Sequence, residues 1–142
     1  MKYYITDVNA NLVPAEGAGD LSNGETLTAD ATLTVEDSGK TFLLDAIGED
    51  LVLPAVAAGL NYKFICQVTT VTTDWTITAA TAVIQGSATV AGAVVAASDE
   101  TVITLVVAKF LPGDWITLES DGTNWYVAGQ VVTALGITFT AP

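Results

Sequence analysis

The sequence predicts an all-β protein, a jelly-roll-like antiparallel β-sandwich with an extended N-terminal arm. Three observations predict this class. β-branched and aromatic residues dominate the apolar stretches, helical periodicity is hard to find, and turn residues recur at about the eight- to twelve-residue spacing of a sandwich or barrel. At 142 residues, the chain is long enough for one domain that buries most of its own apolar surface.

Residues 1–37 differ from the rest, and we predict that they form the arm, while residues 38–142 form the sandwich domain. The first segment is rich in turn residues, which favours an extended connection over a second domain. Near its start lies the apolar group Tyr3, Tyr4 and Ile5. Such a group favours docking of the arm on another surface over a frayed terminus.

The clearest strand runs from Val71 to Ala79. Its side chains alternate, so that one face is apolar except for Thr73 and the other face is polar. The predicted inward residues are Val71, Trp75, Ile77 and Ala79. Further strands are predicted at Thr41–Leu44, Leu51–Leu53, Asn61–Thr69, Ala82–Ile84, Thr89–Val90, Val102–Val107 and Ile137–Thr140.

Two segments, Val94–Ala97 and Val102–Val107, are apolar on both faces. Strands of this kind lie at the centre of a sheet or are buried at a subunit contact. The sequence leaves both interpretations open for each segment.

A β-hairpin is predicted between Asp114 and Ala128, because Asp121-Gly122 is a favoured turn pair. If that pair alone forms the loop, the expected cross-strand pairs are Leu118 with Trp125 and Ile116 with Val127. A four-residue loop would change these pairs but would keep the same side chains inward.

The predicted outer face of this hairpin carries Trp115 and Tyr126. Aromatic rings supply flat apolar area with a polar group at one end, so they serve protein contacts and sugar binding alike. We predict that Trp115 and Tyr126 form an oligomer interface. A carbohydrate platform made by these two residues together with Trp75 is the competing interpretation.

The composition argues against several classes of partner. The chain has no histidine, sixteen acidic residues and four lysines, which gives a net charge of −12. A field of this sign repels nucleic-acid phosphates and anionic membrane surfaces. We therefore expect neither nucleic acid nor a membrane as a partner, and we attribute the acidity to the solubility of an apolar, strand-rich chain. The N-terminus lacks the apolar segment of a secretion signal, which predicts synthesis in a cytoplasm.

The sequence offers little for catalysis or metal binding. Cys66, the single cysteine, is predicted to be a core residue because no histidine can activate it, and zinc is disfavoured by the same composition. Asp114, Glu119 and Asp121, like the acidic residues around Gly48, are expected to be solvated carboxylates rather than calcium ligands or a glycosidase pair. We predict no enzymatic activity, no metal and no cofactor.

Two groups of segments carry a resemblance to a known family. The first is Leu51–Ala55 followed by Ala57–Ile65, and the second is Gly113–Leu118 followed by Ser120–Gly129, with the run Asp-Gly-Thr-Asn-Trp-Tyr-Val. Shorter matches lie at Ser38–Phe42, Trp75–Ile77 and Val83–Gly86. From Ser38 onward, the order of these features resembles the head decoration (cement) proteins of tailed bacteriophages and related β-sandwich modules in tail fibres and spikes.

The resemblance implies a non-enzymatic virion component that binds the outer surface of a capsid as a homotrimer, with the major capsid protein as its partner. The start at Met1 without a preceding fibre shaft favours the capsid version. The segment before Ser38 has no match in the family, and we predict that Tyr3, Tyr4 and Ile5 are its capsid-binding residues. A receptor- or glycan-binding module of a tail fibre is the alternative.

Overall fold

The computed structural model describes residues 4–6, 12–14, 24–69 and 72–142, and it shows an all-β chain in which two mixed sheets pack together. The strands are β1 (Tyr4–Thr6), β2 (Leu12–Pro14), β3 (Gly24–Leu27), β4 (Ala31–Thr32), β5 (Thr41–Leu44), β6 (Asp50–Val52), β7 (Asn61–Cys66), β8 (Trp75–Thr78), β9 (Ile84–Val90), β10 (Ala93–Glu100), β11 (Val102–Leu105), β12 (Trp115–Ser120), β13 (Trp125–Val131) and β14 (Ile137–Thr140). The predicted all-β class and sandwich-like packing are confirmed.

The larger sheet has seven strands in the order β10-β9-β13-β12-β7-β5-β3, and the second has five in the order β14-β11-β8-β6-β4. Strands β1 and β2 form a separate antiparallel pair. From β3 to β8, successive strands alternate between the two large sheets. Strands that follow one another within the same sheet therefore run in the same direction. Neighbours such as β5 and β7, or β6 and β8, are therefore parallel. The sheets are mixed, which corrects the expectation of a purely antiparallel sandwich.

Residues 24–37, part of the predicted arm of residues 1–37, contribute to both large sheets. β3 pairs with β5 at the edge of the seven-stranded sheet, and β4 pairs with β6 at the edge of the five-stranded sheet. Leu27 and Leu33 are buried in the core. The sandwich therefore begins before Ser38, because this segment contributes two strands to the sheets and two leucines to the core.

The core lies between the two large sheets and contains most of the large aromatic residues. Trp75, Ile77 and Ala79 are buried, which confirms the predicted inward face of that strand, whereas Val71 lies outside the described residues. Thr73 is exposed, and its hydroxyl donates a 2.7 Å hydrogen bond to the carbonyl of Gly48.

The predicted hairpin is present, but its loop has four residues rather than two. Ser120 lies opposite Trp125, so Leu118 pairs with Val127 and Ile116 with Gly129. The inward face is as predicted, because Ile116, Leu118, Trp125 and Val127 are all buried. The two-residue register is wrong, because the Asp121 carboxylate accepts hydrogen bonds from the backbone N–H groups of Thr123 and Asn124, both at 2.8 Å, and closes a longer turn.

Candidate interaction surfaces

The outer face of the seven-stranded sheet carries both aromatic residues predicted for the oligomer interface. Trp115 is half-buried, and Tyr126 is 43% exposed. Trp115 lies opposite Gln130, and Tyr126 lies opposite Glu119, four positions further along β12. At about 3.4 Å per residue, this offset separates the two aromatic side chains by about 14 Å along the strands. They share a face but are not neighbours on it.

Each of these aromatic residues already has a partner within the chain. The ammonium of Lys63 lies 5.3 Å from the centre of the Trp115 ring, in a cation–π contact. The Tyr126 hydroxyl donates a 3.0 Å hydrogen bond to the Asp121 carboxylate. A molecule that stacked on Trp115 would compete with Lys63 for the ring, so this face offers less free aromatic surface than the sequence suggests.

The turn carboxylate of Asp121 gives a testable pH dependence. The N–H groups of Asn124 and Thr123 hold the pKa of this carboxyl below its usual value, and the Tyr126 hydroxyl adds to that effect. A lowered pKa in the folded state contributes stability above the unfolded pKa, about 3.9, and this contribution is lost as the pH falls through the folded pKa. Urea unfolding between pH 5 and pH 2 should therefore show a shallower loss of stability in Asp121→Asn than in the wild type. Identical pH slopes would contradict this assignment.

Cys66 lies in the core, as predicted. Its Sγ lies 3.3 Å from the carbonyl oxygens of both Val68 and Phe110, and its single S–H can donate to either. Burial raises the pKa of the thiol to about 11, and the nearby charge of Asp114 adds to this shift. The thiol is therefore protonated at neutral pH.

Asp114 is buried rather than solvated, which corrects the expectation for this residue. Its side chain is 2% exposed. One carboxylate oxygen accepts the backbone N–H of Leu111 at 2.8 Å, and the other accepts that of Val132 at 3.1 Å. The carboxylate therefore ties the segment before β12 to the segment after β13.

A second group of carboxylates lies at the β4–β6 edge of the five-stranded sheet. Asp30 accepts the backbone N–H of Asp50 at 2.8 Å, which lowers the pKa of Asp30, and a hydrogen bond with Asp30 raises the pKa of Glu49. Asp50 in turn accepts the Thr76 hydroxyl at 2.5 Å. Across the described ranges, no three histidine, cysteine or acidic side chains are grouped so as to hold a metal ion.

The residues predicted to bind a capsid lie at the beginning of the chain. Tyr4 and Ile5 belong to β1, opposite Pro14 and Val13 of β2, and Tyr3 lies outside the described residues. Their role therefore stays a prediction.

A third surface, the uncharged end, lies where the edge strands β10 and β14 of the two large sheets meet. It comprises the apolar part of β10, the ends of β9 and β13, the β13–β14 loop and β14. Among the exposed large apolar residues of the described chain, the three with the highest exposure are Val94 (73%), Val132 (67%) and Leu135 (65%), and they belong to these segments. A groove of about 190 Å³ is lined there by Val90, Val95, Ala96, Leu135, Ile137, Thr138 and Phe139.

The sequence contains a signal for this surface but does not by itself bring its segments together. Val94–Ala97 belongs to β10, which is an edge strand, so a central position in a sheet is excluded for this segment. Val102–Leu105 forms β11, which lies between β8 and β14 and is thus central. The strand order of the sheets distinguishes these two segments, whose sequences look alike.

No protein-family model, curated protein or solved structure matches this chain. In the part of the chain that the structure describes, no helix has the length and apolar character needed to cross a bilayer.

Proposed function

We propose that this chain is a non-enzymatic structural protein of a tailed-phage virion, which binds the outside of the head as a homotrimer and stabilises the shell. The family resemblance supports this proposal, and it lies in segments that are distant in the sequence. The observation that carries the proposal is that these segments are neighbours in space. β7, from the first segment, pairs along its length with β12 from the second, with Phe64 opposite Ile116 and Tyr62 opposite Leu118.

The loops of the two segments also contact each other. The backbone N–H of Gly59 donates to the carbonyl of Ser120 at 2.9 Å, and the N–H of Ser120 donates to the carbonyl of Leu60 at 2.8 Å. Gly122, at the tip of the hairpin, lies against Ala58. The residues that resemble decoration proteins therefore form one continuous unit of strands and turns, as expected if the likeness reflects a common fold.

The physical requirements of a decoration protein suit this chain. Three linked copies bind a repeating shell tightly through modest contacts, because each bound copy raises the effective concentration of the others. We assign the shell contact to Tyr3, Tyr4 and Ile5. Trp115 and Tyr126, which the sequence predicts for the contact between copies, already contact Lys63 and Asp121 within the chain, and this weakens their assignment to that contact. The net charge of −12 would keep decorated particles dispersed.

The proposal is tested first by the copy number of this chain in purified virions of the virus that encodes it. Quantitative mass spectrometry should find a number close to that of the major capsid protein. Absence from the particles, or the low number expected of a tail-fibre module, would contradict the proposal.

Deletion of residues 1–23 tests the shell contact. The deletion stops before β3, which begins at Gly24, so the large sheets keep all their strands. When the deleted chain is added to undecorated heads, we expect the number of bound copies to fall by about tenfold or more, because the arm supplies the contact with the shell. The matched control replaces the polar arm residues Asn9 and Asn11 by alanine and should bind normally. Full binding of the deleted chain would rule out the assigned role of the arm.

A further inference from the structure

The uncharged end contains two free sheet edges. In the described part of the chain, β10 pairs only with β9, and β14 pairs only with β11. Both edges border the same groove, since Val95 and Ala96 of β10 line it together with Ile137 and Phe139 of β14. A free edge offers unpaired backbone groups to another strand.

β10 lacks the features that usually protect such an edge. Its residues Ala93–Ala97 are all apolar, with no lysine, proline or inward-pointing charge, and the only irregularity in its pairing with β9 falls after Ala97. Val94, the most exposed large apolar residue of the described chain, lies within this segment. An exposed apolar edge of this kind favours pairing with another chain.

The charge distribution favours another copy of this chain as the partner. All sixteen acidic residues lie outside two uncharged runs, Trp75–Ser98 and Gly122–Pro142, which contain β9, the apolar part of β10, β13 and β14. Two copies with a charge of −12 repel each other over most of their surfaces. The uncharged ends can meet without opposing carboxylates, because pairing over Ala93–Ala97 leaves Asp99 and Glu100 beyond the contact.

We infer that copies assemble through the uncharged end, with β10 of one copy pairing with β14 of the next. Each copy presents both edges at the same end, so a head-to-tail contact can close into a ring with Val94, Val132 and Leu135 buried. The ring size of three rests on the proposed function, whereas the choice of surface does not. This contact is an alternative to the one that the sequence predicts at Trp115 and Tyr126.

The test is sedimentation equilibrium of the purified full-length protein over a wide concentration range. The wild type should form trimers, and Val94→Lys and Leu135→Lys should each weaken association by about 100-fold or more, because an ammonium group would be buried in the contact. Lysine changes the net charge from −12 to −11 per chain, so general repulsion falls, and weaker association must come from the local contact. Circular dichroism and thermal unfolding should show that each variant is folded.

Two further variants are the controls. Val35→Lys places the same charge change at another exposed valine, at 52% exposure, and should leave association unchanged. Trp115→Ala should also leave it unchanged. Hydrogen exchange should be slow at the amides of Ala93–Ala97 in the wild-type oligomer and fast in Val94→Lys, because strand pairing protects edge amides.

Several outcomes would overturn the inference. They are a wild-type monomer at every concentration, an intact trimer in Val94→Lys, an equal loss in Val35→Lys, or a loss in Trp115→Ala alone. A dimer would overturn the threefold arrangement. The result is separable from the decoration role, because trimers that are absent from virions would contradict only that role. Monomers that decorate virions would contradict the inference and the homotrimer but not the decoration role.

Discussion

Replacing Asp114 by alanine should lower the free energy of unfolding by about 3 kcal/mol. Its buried carboxylate accepts two backbone N–H groups, from Leu111 and Val132. Hydrogen bonds to charged groups contribute about 1.5–3 kcal/mol each, and removal of the acceptor leaves both donors without a partner. Urea unfolding followed by tryptophan fluorescence measures the change.

Two companion variants separate the hydrogen bonds from the loss of charge. Asp114→Asn keeps one acceptor oxygen and should lose about half as much stability. Glu36→Ala removes the same charge from an exposed position and should change stability by less than about 0.5 kcal/mol. A loss below about 1 kcal/mol for Asp114→Ala would show that the carboxylate does not hold the two segments together.

Because Asp114 binds the backbone of Val132, the same variant connects stability to assembly. Val132 belongs to the uncharged end, and its position relative to β12 depends on this hydrogen bond. Asp114→Ala should therefore weaken association of the copies as well as folding. The sequence did not indicate this role, since an aspartate after Pro-Gly is usually a solvated turn residue.

The sequence could predict which side chains face the core, because strand alternation is a local property. Trp75 and Ile77 on one strand, and Ile116 and Leu118 on another, were placed inward by alternation alone. The hairpin register could not be derived in this way, since a shift of two residues keeps every side chain on the same face. The register is set by the Asp121 carboxylate, which closes a four-residue turn. The Asp-Gly pair alone does not specify this interaction.

The sheet connections were harder to predict, because they depend on contacts between distant segments. Short strands that alternate between two sheets have the same local pattern as strands joined by hairpins, so the parallel pairing of β5 with β7 has no local signal. The same limit applies to β10 and β11. The segments Val94–Ala97 of β10 and Val102–Leu105 of β11 both look like buried strands in the sequence, yet β10 is an edge strand and β11 is central.

Gly86→Ala should have the largest effect of the substitutions considered, a loss of about 3–5 kcal/mol in the free energy of unfolding. Gly86 lies in β9, opposite Val127 of the parallel strand β13, and has a φ of +112°. A side chain in this backbone region costs about 1–3 kcal/mol in strain. In addition, an alanine Cβ would lie too close to the carbonyl oxygen of Val127, so β9 and β13 would have to separate.

Gly92→Ala is the matched control for this variant. Gly92 also has a positive φ, +80°, but a Cβ there would meet no atom within 4 Å. It should therefore lose only the strain energy, and the difference between the two variants measures the contact with Val127. Equal losses would refute the steric argument.

If β9 does separate from β13, then β10 moves with it. Gly86→Ala should therefore also weaken association of the copies in sedimentation, whereas Gly92→Ala should affect association less.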